Sequence, residues 1–312
     1  MMPRSQTLRN SVVAANSTTA LLANLIDYAG LFPPASVSMT ACVANYDSYL
    51  RSQWDWILGR LIIPVARLAE FEDALSKLPN QGTPSFVWRL SVVAGDDVIA
   101  DVARIREFNA RMANGSGRSA AIESIELRVS SVENINRLSD IIPRELETYF
   151  EIPLSSHSEY LTAINKSGRR AKIRTGGETA DKFPAPENVI EFIGQCAAAD
   201  VPFKATAGLH HPLRSVHHFT YQSESPSGIM HGFINVFLCA AFLRKGMDPH
   251  VAVQLLEERL PGAFCFDSEG ISWRTNRLTR EEIATERQDL AVSFGSCSFM
   301  EPIEDLLALH IL

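Results

Sequence analysis

Cysteine is scarce in this chain and never clustered. The five residues Cys42, Cys196, Cys239, Cys265 and Cys297 are odd in number, widely spread and never form a CxxC pair. That excludes a disulfide framework and a cysteine-based structural zinc site, and leaves most of them as small buried hydrophobes. Long apolar runs are missing too. The strongest candidate, "GIMHGFINVFLCAAFLRKGM", carries a histidine, an asparagine and a Lys/Arg end, so it reads as a buried helix and not a membrane span. The opening "MMPRSQTLRNSVVAANSTTA" has an early basic pair but no apolar core before a cleavage site, which argues against secretion and makes the cytoplasm the expected location. Positive charge is also in deficit. A net charge of -7, with no basic stripe interleaved with aromatics, disfavours nucleic acid as a partner.

What is present is a globular composition, with 46% hydrophobic and 21% charged residues over 312 positions. Short β-branched runs alternate with helical patterns along nearly the whole chain. The strand candidates are "LLANLID" (21–27), "ILGRLIIP" (57–64), "SFVWRLSVV" (85–93), "AIESIELRV" (121–129), "LETYFEIPL" (146–154), "RAKIRT" (170–175), "VPFKAT" (201–206) and "GAFCFD" (262–267). Helix starts lie between them: Ser130 with Glu133 and Ser156 with Glu159 at capping-box spacing, Pro186–Glu187, Asp248–Pro249, Thr279 with Glu282, and Glu301–Pro302. Strands alternating with helices imply parallel βαβ units, and eight of them imply a (β/α)8 TIM barrel. A doubly wound sheet fits less well, because no GxGxxG follows the first strand. The expectation is an α/β, single-domain (β/α)8 barrel over 20–312, with an extension over 1–19 and a helical insertion of about 207–260 between strands seven and eight. Residues 207–228, rich in His, Ser and Gly, read as a substrate loop on the C-terminal face, where barrel enzymes keep their chemistry.

Several strands carry charges at alternate positions: Lys172 and Arg174, Glu126 and Arg128, Glu147 and Glu151, Lys204 and Thr206. Buried against the helices these would be costly, so a polar barrel mouth is the cheaper arrangement. Lys172 and Lys204, on neighbouring strands at matching depth, would repel each other and be partly desolvated. Both effects favour the free amine that attacks a carbonyl. The bland alternative pairs each lysine with a carboxylate such as Glu151 or Glu126, or with an anion. Arg174 followed by Gly176 and Gly177 suits a phosphate or carboxylate, against a tight turn needing positive φ. His210, His211, His217, His218 and His231 concentrate five of the eight histidines and offer acid/base groups or metal ligands, although no metal signature matches their spacing. Asp27 closes the first strand and could accept a proton or cap the following loop. Cys297 could be a nucleophile, but no histidine lies near it in sequence, and a buried structural thiol is the favoured reading.

The pair "AKIRTGG" and "FKATAGL", with "LIDYAGLFPP", resembles the deoxyribose-phosphate aldolase group of class I aldolases. That resemblance implies Lys172 as the Schiff-base lysine and Lys204 as the lysine that activates it. Ile173 and Arg174 depart from the small hydroxyl residues expected there, and Glu126 and Arg128 stand where that group has an aspartate. Over nearly the whole chain, "LIDYAGLFPPAS", "AKIRTGG", "PFKATAGLHHPLR", "HGFINVF" and "FGSCSFMEPIEDL" are similar to a bacterial barrel-like family to which no activity is attached; this implies a fold and no substrate.

The leading expectation is a lyase or aldolase acting on a small anionic carbonyl compound. Lys172 or Lys204 is the nucleophile, and His210, Asp27 or Glu151 moves protons. Arg174, Gly176, Gly177, Thr206, His211 and Arg128 hold the anion. No cofactor is required, though a divalent metal held by Glu151 and the loop histidines is the enzymatic alternative. A noncatalytic anion-binding barrel is the other. No membrane partner is expected, and a homo-oligomer stays open because many barrels associate.

Overall fold

The computed structural model describes residues 16–79, 87–114, 118–154 and 157–312. The elements run in order α1 (Ser17–Leu22), β1 (Ile26–Tyr28), α2 (Met39–Leu50), β2 (Leu58–Pro64), α3 (Leu68–Ser76), β3 (Val87–Val93) and α4 (Val98–Asn114). There follow β4 (Ser119–Arg128), α5 (Val132–Ile141), β5 (Glu147–Glu151), α6 (His157–Ser167), β6 (Arg170–Arg174), α7 (Pro186–Ala198) and β7 (Phe203–Thr206). The long excursion after β7 holds β8 (Ser215–His218), β9 (Ser227–Met230), α8 (Phe233–Arg244), α9 (Pro249–Leu256), β10 (Phe264–Phe266), β11 (Gly270–Trp273), β12 (Asn276–Thr279) and α10 (Arg280–Asp289). The chain ends with β13 (Ala291–Ser296) and α11 (Met300–Ala308).

Eight parallel strands close into a barrel in the order β1-β13-β7-β6-β5-β4-β3-β2, surrounded by helices, so the (β/α)8 architecture is the one the alternation of strands and helices implies. The eighth barrel strand is β13, and this corrects the reading of 262–267. Phe264–Phe266 instead opens an antiparallel three-stranded sheet with β11 and β12. Only residues 267–269 separate β10 from β11, too few for the crossover that a parallel neighbour requires. The excursion between the seventh and eighth barrel strands therefore extends through α10.

Local signals explain most element ends. Thr279 accepts from the backbone N–H of Glu282 while the Glu282 carboxylate accepts from that of Thr279, a complete capping box on α10. Asp248 caps α9 ahead of Pro249, and Pro186 opens α7. The cap of α5 is Ser131, one residue beyond Ser130. Residues 21–22 of the first strand candidate end α1, whose cap is Asn16. Ser156, residues 85–86 of the third candidate and 1–15 of the N-terminal extension lie outside the described residues. Helix α8 is buried on nearly every side because α7, α9, α10 and β13 pack around it. Its Asn235 accepts from the backbone N–H of Arg214 and donates to the carbonyls of Leu255 and Glu258, tying separate segments of the excursion to one another. Among the described residues no helix is long and apolar enough to cross a membrane.

Candidate active site

Register places Glu151, Lys172, Lys204 and Ser293 side by side on consecutive barrel strands, so their side chains share the inner face. Inside, they form an alternating chain of charges. Lys204 Nζ donates to Asp27 Oδ2 and to Glu126 Oε1, each at 2.7 Å. The other oxygen of Glu126 pairs with Lys172 Nζ at 2.9 Å, and Lys172 reaches Glu151 Oε2 at 3.0 Å. Glu151 then meets Arg128 at 3.1 Å and Arg174 at 3.4 Å on the rim. Ser91 donates to Glu126 and Ser293 to Asp27, leaving few carboxylate lone pairs without a donor. The Tyr149 ring forms a floor, its centroid 5.3 Å from Lys204 Nζ, a cation–π distance.

The two ammonium groups thus do not face each other bare. Glu126 bridges them, and the expected mutual repulsion is not the controlling effect. Burial alone would push Lys204 down, but the Asp27 and Glu126 carboxylates outweigh it and hold this lysine charged, above its ordinary range. Burial likewise opposes ionisation of Glu126, yet Lys172 and Lys204 hold its carboxyl far below the usual carboxylate range. For Glu151, burial is overcome by Lys172 and Arg174, bringing the carboxyl down to about 2.

Sequence reasoning offers Glu126 as a partner for a lysine but misses it as the residue that joins both. It also misses Gly59, where a Cβ would collide with Asp27 Oδ1. The glycine in "LGRL" lets Asp27 accept the backbone N–H of Arg60 at 2.7 Å, and a glycine inside a strand is the signal for such a close approach. Glu147, though it shares a strand with Glu151, belongs to the other end of the barrel, where Arg60 bridges it to Glu123.

Gly176 and Gly177 have a packing role. A Cβ on Gly176 would lie 2.6 Å from Phe183 and 2.8 Å from the Cα of Gly208, and one on Gly177 would lie 2.8 Å from Lys182. Neither glycine has positive φ, so close approach and not a left-handed turn explains them. Thr175 Oγ1 donates to the carbonyl of Ala207, fixing the β6 and β7 loops together. Thr206 lies in register between Arg174 and Gly295.

The five loop histidines separate into different surroundings. His231 donates through Nε2 to the Pro184 carbonyl and accepts from Arg214, and burial pushes it down to about 4. His211 pairs with Asp305 at 2.6 Å and stacks on His217 with centroids 3.3 Å apart. Burial and then His211 push His217 down to about 4. His218 contacts the Ser225 carbonyl. His210 Nδ1 lies 3.4 Å from Glu301 and 3.9 Å from Cys297 Sγ. Burial lowers His210, but Cys297 and Glu301 outweigh it and push it up to about 9. Glu151 is occupied by three cationic side chains, and among the described residues no three His, Cys, Asp or Glu side chains are placed to hold a metal ion.

No protein-family model matches this chain, and neither a curated protein nor a solved structure matches it.

Proposed function

We propose that this barrel is an aldolase-type carbon–carbon lyase acting on a small anionic carbonyl compound through a Schiff base on Lys172. The observation that carries the reading is the position of Lys172 Nζ between the ionised carboxylates of Glu126 and Glu151, near the rim of the alternating charge chain. Lys172 keeps 6% exposure whereas Lys204 has none, so a substrate carbonyl reaches the first and not the second. When the amine attacks, a carbon–nitrogen bond forms and the carbonyl oxygen leaves as water. Glu126 and Glu151, held ionised, stabilise the positive charge of the iminium, and water at the rim carries the protons. Cleavage then sends the electron pair of the broken carbon–carbon bond into the iminium to give an enamine, while the β-hydroxyl of the departing fragment loses its proton to water and becomes an aldehyde. Protonation of the enamine carbon and addition of water release the second product and free the lysine.

Lys204 supplies fixed positive charge below the nucleophile and holds Glu126 ionised, while Asp27 anchors Lys204. Of the three proton carriers expected beside the lysines, Asp27 and Glu151 are joined to the chain; His210 makes its contacts with Glu301, Ser296 and Cys297. Arg128 and Arg174, both exposed at the rim, are placed to meet a phosphate or carboxylate.

The test is incubation with a panel of aldehydes and keto acids, borohydride reduction, and location of adducts by mass spectrometry. An adduct on Lys172, absent from Lys204 and lost in Lys172→Met, is the expected result. No adduct on Lys172 across the panel overturns the Schiff base and leaves anion binding without chemistry.

A further inference from the structure

Cys297 stands where the eighth barrel strand ends and α11 begins, on the same face of the barrel as Lys172. The fold brings His210, from the loop after β7, to 3.9 Å from its sulfur, although 86 residues separate it from Ser296 beside that cysteine. Glu301 on α11 lies 3.4 Å from the same imidazole nitrogen. Tyr221, from the β8–β9 turn, donates to Glu301 at 2.8 Å and places its hydroxyl 3.6 Å from Cys297 Sγ. A shallow, open cavity of about 380 Å³ lies at the surface here, with Tyr28, Tyr49, Tyr221, Cys297, Glu301 and Glu304 in its lining.

We propose that Cys297 is a nucleophilic thiol assisted by His210, and that this cavity is a second ligand site taking a neutral aromatic aldehyde as a reversible hemithioacetal. Tyr49 and Tyr221, whose rings are partly exposed there, suit an aromatic guest. Glu301 and Glu304 repel anions, which sets the site apart from the Arg128 and Arg174 rim. In the covalent step the sulfur–carbon bond forms as the carbonyl π bond breaks. The thiol proton leaves to solvent, His210 protonates the new alkoxide oxygen, and solvent reprotonates His210, so thiol plus aldehyde gives hemithioacetal with no redox change. His210, held protonated to about pH 9, is suited to that donation.

The test is competitive alkylation of the folded protein by iodoacetamide, read at each cysteine by mass spectrometry, with the exposed Cys265 as internal standard. Cys297 is expected to react about tenfold faster than Cys265, and to lose about tenfold in His210→Gln while Cys265 is unchanged. Benzaldehyde is expected to protect Cys297, and its para-carboxylate analogue to protect it about tenfold less. Glu301→Gln, a milder change on a partly exposed side chain, is expected to lower the Cys297 rate severalfold, which keeps the proposal testable should His210→Gln fail to fold. Cys297 reacting no faster than Cys265, or showing no protection by benzaldehyde, overturns it. Lys172→Met, which abolishes borohydride trapping on the Schiff-base reading, is expected to leave Cys297 labelling unchanged, so the two readings fail separately.

Discussion

At the residue scale, two lysines that look alike in sequence differ in what surrounds them. Lys204 is wholly buried between Asp27 and Glu126, so Lys204→Met takes the salt-bridge partner from buried Asp27 and leaves Glu126 to Lys172 alone. Breaking such a cluster costs about 3–5 kcal/mol, and urea unfolding is expected to show it. Lys172→Met leaves Glu151 paired with Arg128 and Arg174, and Glu126 with Lys204, so its stability loss is expected to be clearly smaller than that of Lys204→Met. A Lys172→Met protein as unstable as Lys204→Met would contradict this division. Gly59→Ala drives a methyl into Asp27 Oδ1 and is expected to cost about 1–3 kcal/mol in the same assay. The residue types of the chain Asp27–Lys204–Glu126–Lys172–Glu151 were legible as charges at alternate strand positions. Their partners were not, because a carboxylate on the fourth strand reaches the sixth and seventh only across a closed barrel.

At the element scale, the β6 and β7 loops cross glycine to glycine, with Gly176 and Gly208 too close for a Cβ between them. Gly176→Ala is expected to destabilise by about 1–3 kcal/mol and also to slow trapping at Lys172, because β6 carries that lysine to the rim. Thr279→Ala removes one half of the capping box on α10, remote from the charge chain. It is expected to cost about 1 kcal/mol in thermal unfolding with trapping intact. Loss of trapping in Thr279→Ala would mean that the excursion is coupled to the site. The strand at 262–267 was legible as a strand, and its alternation of aromatics was real. Its sheet was not, because period-two patterning describes one strand and says nothing of its neighbour. The short connection to β11 carried the missing information, and "LAVSFGSCS" after the charged helix α10 was the better eighth strand.

At the scale of the whole molecule, stability is expected to follow pH through the buried histidines. His210 has its folded value raised from 6.5 to about 9, so its contribution is complete below 6.5 and disappears as pH rises towards 9. His217 and His231 are lowered from 6.5 to about 4, so their contributions are complete above 6.5 and disappear as pH falls towards 4. Glu151, lowered from 4.5 to about 2, adds a further loss as pH falls below 4.5. Chemical denaturation across this range is expected to give a maximum near 6.5. The alkaline limb from His210 amounts to roughly 1–3 kcal/mol, and Glu301→Gln is expected to flatten it. A limb unchanged in Glu301→Gln would remove the His210–Glu301 pair from the account.

The sequence by itself determined the barrel, since alternating strand and helix patterns with short connections admit few other ways of burying both faces of a parallel sheet. It also determined that charged side chains line the inner face. Only the tertiary structure decided which strand closes the barrel, that Glu126 joins the two lysines, and that Cys297 meets a histidine. Each of those contacts joins residues on separate strands or loops, through barrel closure and a long excursion, and local periodicity carries no information about distance across a closed sheet.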